Sequence, residues 1–449
     1  MIRYNVNQGV QKLKSRTAIL ISTLALMIGG GGGLSLAVLG TSHAASPVWV
    51  APTGVGGGSC ATPDFNTISA AVAAASSGDV INVCPGTYAE NVTIPVTLTL
   101  NGANPGIDGS SARGTESIVN GSFNVTANNV TIDGFSVNGP VGSSAIIMQG
   151  SNTGEVITNN IIDNEGYAVN FRTSNTTISH NKIVHGLSAF SGVEANSNPG
   201  DNLTFDHNTF SGRDAISADI TVIGSSSPHT NNVSVTNNAS TSGTTLIAVF
   251  NTNIVTISGN TYVGDTSSSA IYIGGADSNV AVTDNNVSLA TTAVKVANFY
   301  GDGVNSNVTI TGNTLQTNTY GVYVTLPSVT TANTVAAHQN SLTGNTLFGI
   351  NNEATGTLAG SCNWWGAANG PGRVGPGSGD KVSTGVTYAP WLVTSNLNGS
   401  CIGGNVATNK DQCKNDGWQT LTDNNNRPFK NQGDCVSFVA TQGKNKANG

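Results

Sequence analysis

Short runs that alternate apolar and polar residues recur along this chain with little between them except turns. One phrase reads Thr177-Ile178-Ser179-His180-Asn181 and returns as Thr204-Phe205-Asp206-His207-Asn208 and Ser234-Val235-Thr236-Asn237-Asn238. Further copies are Thr256-Ile257-Ser258-Gly259-Asn260 and Thr309-Ile310-Thr311-Gly312-Asn313. A second phrase falls between them, as in Ala168-Val169-Asn170-Phe171-Arg172, Ala270-Ile271-Tyr272-Ile273-Gly274 and Gly321-Val322-Tyr323-Val324-Thr325. A period of two over four or five residues, closed by Asn or Gly, is the mark of a short strand and its bend. No stretch between the phrases carries a helical period.

Self-similarity at roughly 25 residues marks a solenoid. Two or three strands per repeat predict an all-β, right-handed parallel β-helix, with coils stacked about 4.8 Å apart. About ten to twelve coils are expected between Val80 and Trp391. One buried column should run Val169, Val193, Ile216, Ile247, Ile271, Val294, Val322 and Ile350. Propellers repeat at longer periods, about 40 residues or more, with a per-blade signature that is missing here. The recurring asparagines Asn181, Asn208, Asn238, Asn260, Asn285, Asn313 and Asn340 should stack at one corner. Each amide can then donate to the next coil while satisfying the backbone of its own bend.

Several passages then carry a resemblance. Asp64-Phe65-Asn66-Thr67-Ile68-Ser69-Ala70-Ala71-Val72, Gly78 to Tyr88 and Glu90-Asn91-Val92-Thr93-Ile94 are similar to the opening of pectin-lyase-like β-helix proteins. The resemblance implies a short helix capping the first coil. Phe65, Ile68, Val72 and Ala75 share one face suited to that task. Asn363-Trp364-Trp365-Gly366 with Gly370-Pro371, and Tyr388-Ala389-Pro390-Trp391, resemble the close of the helix in the same superfamily. The resemblance covers about residues 47–395 and implies the fold. It leaves activity open, because the superfamily mixes lyases, hydrolases, esterases and adhesins.

The ends read differently. Arg3, Lys12, Lys14 and Arg16 precede an apolar run, and Ser42-His43-Ala44 supplies small residues for cleavage, so residues 1–44 read as a signal peptide. An uncleaved anchor, the one membrane contact foreseen, is the alternative. Residues 45–100 form the cap and first coils, 101–395 the repeats, and 396–449 a cysteine-containing tail. Lys410, Lys414, Arg427, Lys430, Lys444 and Lys446 crowd into that tail, which reads as a disulfide-stapled appendage or a cell-surface contact element. Cleavage after Ala44 leaves 13 basic and 24 acidic residues, a net charge of −11. That balance, with no basic stripe in the body, argues against nucleic acid as a partner. All six cysteines follow residue 44, as expected of a secreted, extracellular or cell-surface bacterial protein. Fifteen pairings exist. The sequential one, Cys60–Cys84, Cys362–Cys401 and Cys413–Cys435, is expected because each pair brackets one compact segment.

Familiar catalytic constellations of the superfamily are missing. No paired Asp with Gly-His-Gly occurs, and no esterase Gln and Asp-Arg set. Asp206-His207 matches half of a pectate lyase motif, but Phe205 stands where that motif has Trp and its Arg segment is absent. His180 precedes His207 by one coil, so the two imidazoles should stack about 5 Å apart, as surface decoration or as a secondary site with Asp206. Alternation also defines two solvent-facing columns. The first reads Ile147, Asn170, Glu194, Ser217, Ala248, Tyr272, Lys295, Tyr323 and Asn351. The second reads Gln149, Arg172, Asn196, Asp219, Phe250, Gly274, Ala297 and Thr325. Arg172, Glu194 and Asp219 gather charge, while Tyr272, Lys295 and Tyr323 form an aromatic–cation–aromatic ladder. These six are the candidate glycan-binding residues. Tyr rings stack on sugars, Lys295 and Arg172 pair acidic groups, and Glu194 with Asp219 is a conceivable Ca²⁺ pair; no other cofactor is expected. The favoured reading is a monomeric protein whose elongated face binds a polysaccharide or cell-surface glycan. The alternative is a polysaccharide lyase or other glycan-degrading enzyme acting on acidic polysaccharide. In that case, Arg172 as charge neutraliser and Lys295 as base lie about five coils, roughly 24 Å, apart.

Overall fold

A computed structural model describes residues 47–447, apart from 55, 186–190, 197–198, 213–217, 300–302 and 327–331. The segment read as a signal lies outside the described residues. Beyond it the chain winds as a parallel β-helix whose three faces are sheets of 14, 13 and 11 strands. The first sheet runs from Val48–Val50 to Val386–Thr387, and the third from Gly86–Tyr88 to Ser341–Thr343. The second runs from Asn91–Ile94 through Phe348–Asn352 to Gly379–Val382 and Pro371–Arg373. Neighbouring strands in each sheet are parallel and, except for the closing pair Pro371–Arg373 and Gly379–Val382, one coil apart. The alternation seen in the sequence becomes one continuous core, with inward Val, Ile, Leu and Phe fully buried from Val48 to Trp391. Each such side chain contributes about 1.5–3 kcal/mol.

The first coil is closed by helix α1, Ile68–Ala74, which buries Ile68, Ala71 and Val72 while Phe65 and Ala75 pack at its edge. Thr67 caps it by accepting from the Ala70 N–H. Glu90 accepts from the Ile68 and Ser69 N–H groups, which places a carboxylate on the helix start. At the far end Trp365 is fully buried and Trp391 nearly so. The three disulfides pair in sequence order as expected.

The asparagine corner is longer than the sequence suggested. Asn160 and Asn363 extend the seven foreseen positions at either end, and all nine are buried. In each step the backbone N–H and side-chain amide of one Asn donate to the Oδ1 of the next, as from Asn238 to Asn260 at 2.9 and 3.0 Å. The residue before each ladder Asn takes a left-handed conformation, which Gly259 and Gly312 adopt freely and His180, His207 and Asn237 also occupy.

One register differs from expectation. Val193 pairs with Ile220, and Glu194 with Thr221, so Ile220 takes the place foreseen for Ile216. Residues 213–217, Ile216 and Ser217 among them, lie outside the described residues. Ala215-Ile216-Ser217 and Ala218-Asp219-Ile220 alternate equally well, and the paired strands Ala218–Ile223 and Thr245–Phe250 select the later one. The other members of the buried column stand as foreseen.

The chain beyond Cys401 builds a second, smaller core around Cys413, Phe429, Cys435 and Phe438. Helix α2, Gln432–Ala440, is capped by Asn431 and tied down by Cys413–Cys435. Residues 391–392 and 401–403 form the single antiparallel pair among the named strands, where the coil gives way to this module.

Candidate functional site on the second sheet

Strand alternation turns one column of the second sheet away from the core, in the order Asn170, Glu194, Thr221, Ala248, Tyr272, Lys295, Tyr323 and Asn351. Glu194, Thr221, Ala248 and Asn351 are nonetheless buried. The aromatic–cation–aromatic ladder is therefore real: Tyr272 pairs with Lys295, and Lys295 with Tyr323. The Lys295 Nζ lies 5.2 Å from the centre of the Tyr272 ring. A cation at that distance is attracted to the ring face.

Next to this ladder the surface opens into a cleft of about 400 Å³. Phe250, Tyr272 and Phe299 form its aromatic wall, with ring centres 6.0 to 6.4 Å apart. Ala218, Ala248 and Ile223 complete an apolar floor separate from the main core. Phe299 is 68% exposed, an unusual position for a ring of that size. Its backbone N–H donates to the Gly274 carbonyl, and a Cβ on Gly274 would stand 2.0 Å from the Phe250 ring. Only glycine leaves Phe250 its seat. Asp277, fully buried, accepts from the N–H groups of Gly274 and Gly275 and from Thr252, so it anchors this turn. Burial pushes its carboxyl up to about 7 in spite of those four bonds.

Glu194 closes the other end of the cleft. It is nearly buried and accepts from Ser191, Asn196 and Tyr167. Burial raises its pKa against the effect of those bonds, and burial with the adjacent Glu194 charge pushes the Tyr167 phenol up to about 12. Beyond Lys295, Tyr320 stacks on Tyr323 at 4.7 Å and on Phe348 at 6.2 Å, and Arg373 lies over Phe348 at 4.7 Å. The Tyr323 phenol is raised by burial and by its hydrogen bond to Glu353. The exposed ladder thus continues past the three residues singled out.

Three other expectations need placing. Arg172 is exposed on an earlier coil and is not part of the cleft wall. Asp219 does not face solvent: with the later register Ile223 takes its column position, and Asp219 is fully buried, accepting from Ser240, Ser242 and Thr244. Its hydroxyl donors differ from those of Glu194. Ca²⁺ takes six to eight oxygens, and no group of three His, Cys, Asp or Glu suited to a metal occurs among the described residues.

The histidine pair stacks as foreseen, with ring centres 4.9 Å apart and planes within 3°. His207 Nδ1 lies 2.7 Å from Asp206. Partial burial works to raise the Asp206 pKa, but bonds from Thr236, His207 and Asn237 outweigh it and hold the carboxyl below its usual value. This trio lies at the first-sheet corner and does not enter the cleft.

Phe250 and Gly274 stood in the second column, but alternation alone did not join them to Tyr272. Phe299 and Tyr167 fall outside the strands and carried no periodic signal.

Residues 144–298 match a family model described as a right-handed β-helix region. The fold is a parallel β-helix. No curated protein matches the chain by sequence. Among solved structures, the chain is similar to the A-module of a mannuronan C-5 epimerase from Azotobacter vinelandii, with 15% identity and a TM-score of 0.47 over 72% of this chain and 93% of that one. It is also similar to a surface adhesin of Streptococcus pneumoniae, with 13% identity and a TM-score of 0.43 over 65% and 86% of the two chains. A catalytic unit of an alpha-1,3-glucanase from Streptomyces thermodiastaticus shares 18% identity and a TM-score of 0.44 over 78% and 70%.

Proposed function

We propose that the second-sheet face is a glycan-binding surface of a secreted protein, and that the cleft between Glu194 and Lys295 seats part of an acidic polysaccharide. The observation that carries this reading is the open cleft in which three aromatic rings meet and a lysine lies beside one of them. Exposed rings gain from stacking on the C–H faces of sugars, and Lys295 supplies the charge that selects a uronate or sulfate. Three disulfides support an oxidising compartment. Binding is favoured over β-elimination because the only partners foreseen for elimination, Arg172 and Lys295, stand beside strands five steps apart, roughly 24 Å.

A glycan array probed with wild type and with a Tyr272→Ala, Lys295→Ala, Tyr323→Ala triple variant tests the proposal. Wild type is expected to retain acidic oligosaccharides that the variant loses; identical profiles would refute it. Absorbance at 235 nm during incubation with uronate polymers separates the enzymatic alternative, since unsaturated product would assign the face to a lyase.

A further inference from the structure

The charge of this chain is sharply divided. Residues 45–401 carry seven Lys and Arg against twenty acids, whereas residues 402–449 carry six against four. Within the tail module the acids are mostly engaged by the module itself. Asp423 is fully buried and accepts from the backbone N–H groups of Asn425, Arg427 and Ala447. Asp434 sits in the first turn of α2 and accepts from the Lys430 N–H. Asp411 pairs with Lys414 at 2.7 Å. Asp416 is left as the other exposed acid.

The same bonds bear on four of the five remaining cations, Lys410 being the fifth. One carboxylate, that of Asp423, holds the backbone of Arg427 at 2.9 Å and that of Ala447 at 3.2 Å, so Arg427 and Lys446 are brought to one place. Lys430 follows Arg427 by three residues at the start of α2. Lys444 precedes Lys446 by two, and Asn445 between them donates to Ser437 on α2 at 2.8 Å. All four cationic side chains are exposed. A disulfide and a small core hold this arrangement rigid, so little ordering entropy is lost when it binds.

We propose that the C-terminal module docks on a soluble anionic polymer through a cluster formed by Arg427, Lys430, Lys444 and Lys446. Outside the cleft around Lys295 the acidic body offers such a polymer no attraction, so the module is a second, separate point of contact. Lysine predominates, which suits a run of closely spaced charges more than bidentate reading of one carboxylate. A lipid surface fits less well, because no large exposed hydrophobic side chain occurs among the described residues of the module to enter a bilayer.

The test measures binding of the full chain to long-chain polyphosphate as salt is raised from 50 to 300 mM. On the scale known for nucleic acid phosphates, four contacts give a slope of about −3 in log K against log salt. The Arg427→Gln, Lys430→Gln, Lys444→Gln, Lys446→Gln variant, with melting unchanged, is expected to bind at least tenfold more weakly with a flattened slope. Lys182→Gln, at a body lysine outside both the cleft and the module, should bind polyphosphate as wild type does, which separates this contact from a change in net charge. Absence of wild-type binding at 50 mM, an unaltered slope in the fourfold variant, or an equal loss of binding in Lys182→Gln would each overturn the proposal. Tighter binding to vesicles of anionic phospholipid than to polyphosphate would also overturn it, in favour of a bilayer.

Discussion

Replacing Asn260 with Ala should destabilise the coil far more than one lost side chain suggests. Asn260 Nδ2 donates to the carbonyls of Val235 and Ser258 and to Asn285 Oδ1, at 2.9 to 3.2 Å. Its Oδ1 accepts from the backbone N–H and the side-chain amide of Asn238. Truncation therefore leaves the Asn238 N–H buried without its acceptor, at about 1–3 kcal/mol. It also removes four further bonds, each worth about 0.5–1.5 kcal/mol net and partly replaceable. The expected total is about 3–5 kcal/mol. Asn232 offers the control, since it belongs to an exposed file in which its amide donates to Asn202 Oδ1 within reach of water. Asn232 has a left-handed backbone, so the control is Asn232→Gly, which should cost about 0.5 kcal/mol or less. Urea unfolding followed by circular dichroism compares the two, with attention to broadening, because solenoid coils can unfold in stages. Equal midpoints for Asn260→Ala and Asn232→Gly would refute the view that the buried amide file holds the corner together.

Asp277 is predicted to make stability fall as pH rises: its unfolded carboxyl ionises near 4 and its folded one near 7, so the folded state loses ground between those values and levels off above. Asp277→Asn, measured by unfolding at pH 4, 5.5 and 7.5, should show a shallower decline than wild type; parallel curves would contradict it. Gly274→Ala should displace the Phe250 ring, weaken glycan binding severalfold and cost about 1–3 kcal/mol of stability, read by titration and calorimetry. Replacing Cys413 and Cys435 with Ser should cost the tail module about 2–4 kcal/mol and expose it to protease while residues 47–395 stay protected, as mass mapping of the fragments would show.

The coil architecture was legible because period-two alternation, a repeat near 25 residues and a file of asparagines all demand one geometry. The column containing Glu194, Tyr272, Lys295 and Tyr323 followed from alternation alone. The strand pairs four residues later than the phrase suggests, with Ile220 in place of Ile216, a shift that leaves the two-residue phase unchanged. Asp219 is buried because alternation lapses there, between Ala218 of the cleft floor and Ile220 of the core. The cleft itself was harder to read. Phe299 reaches it from a turn, Tyr167 reaches Glu194 from outside the named strands, and Phe250 depends on the missing side chain of Gly274. Those are contacts between coils, whose sequence separation hides them from any local pattern. The charge cluster of the tail had a compositional signal, but its assembly by Asp423 required the fold.

The most direct test of the glycan-binding surface is a calorimetric titration with an acidic oligosaccharide and with its carboxyl-reduced counterpart, at 50 and 300 mM salt. Wild type should bind the acidic ligand more tightly and lose that preference at high salt, as screening of Lys295 requires. Lys295→Ala should bind both ligands alike at either salt, and Tyr272→Ala should weaken both by roughly 1 kcal/mol or more. Wild-type affinity and salt dependence that persist unchanged in both variants would contradict the assignment of this face.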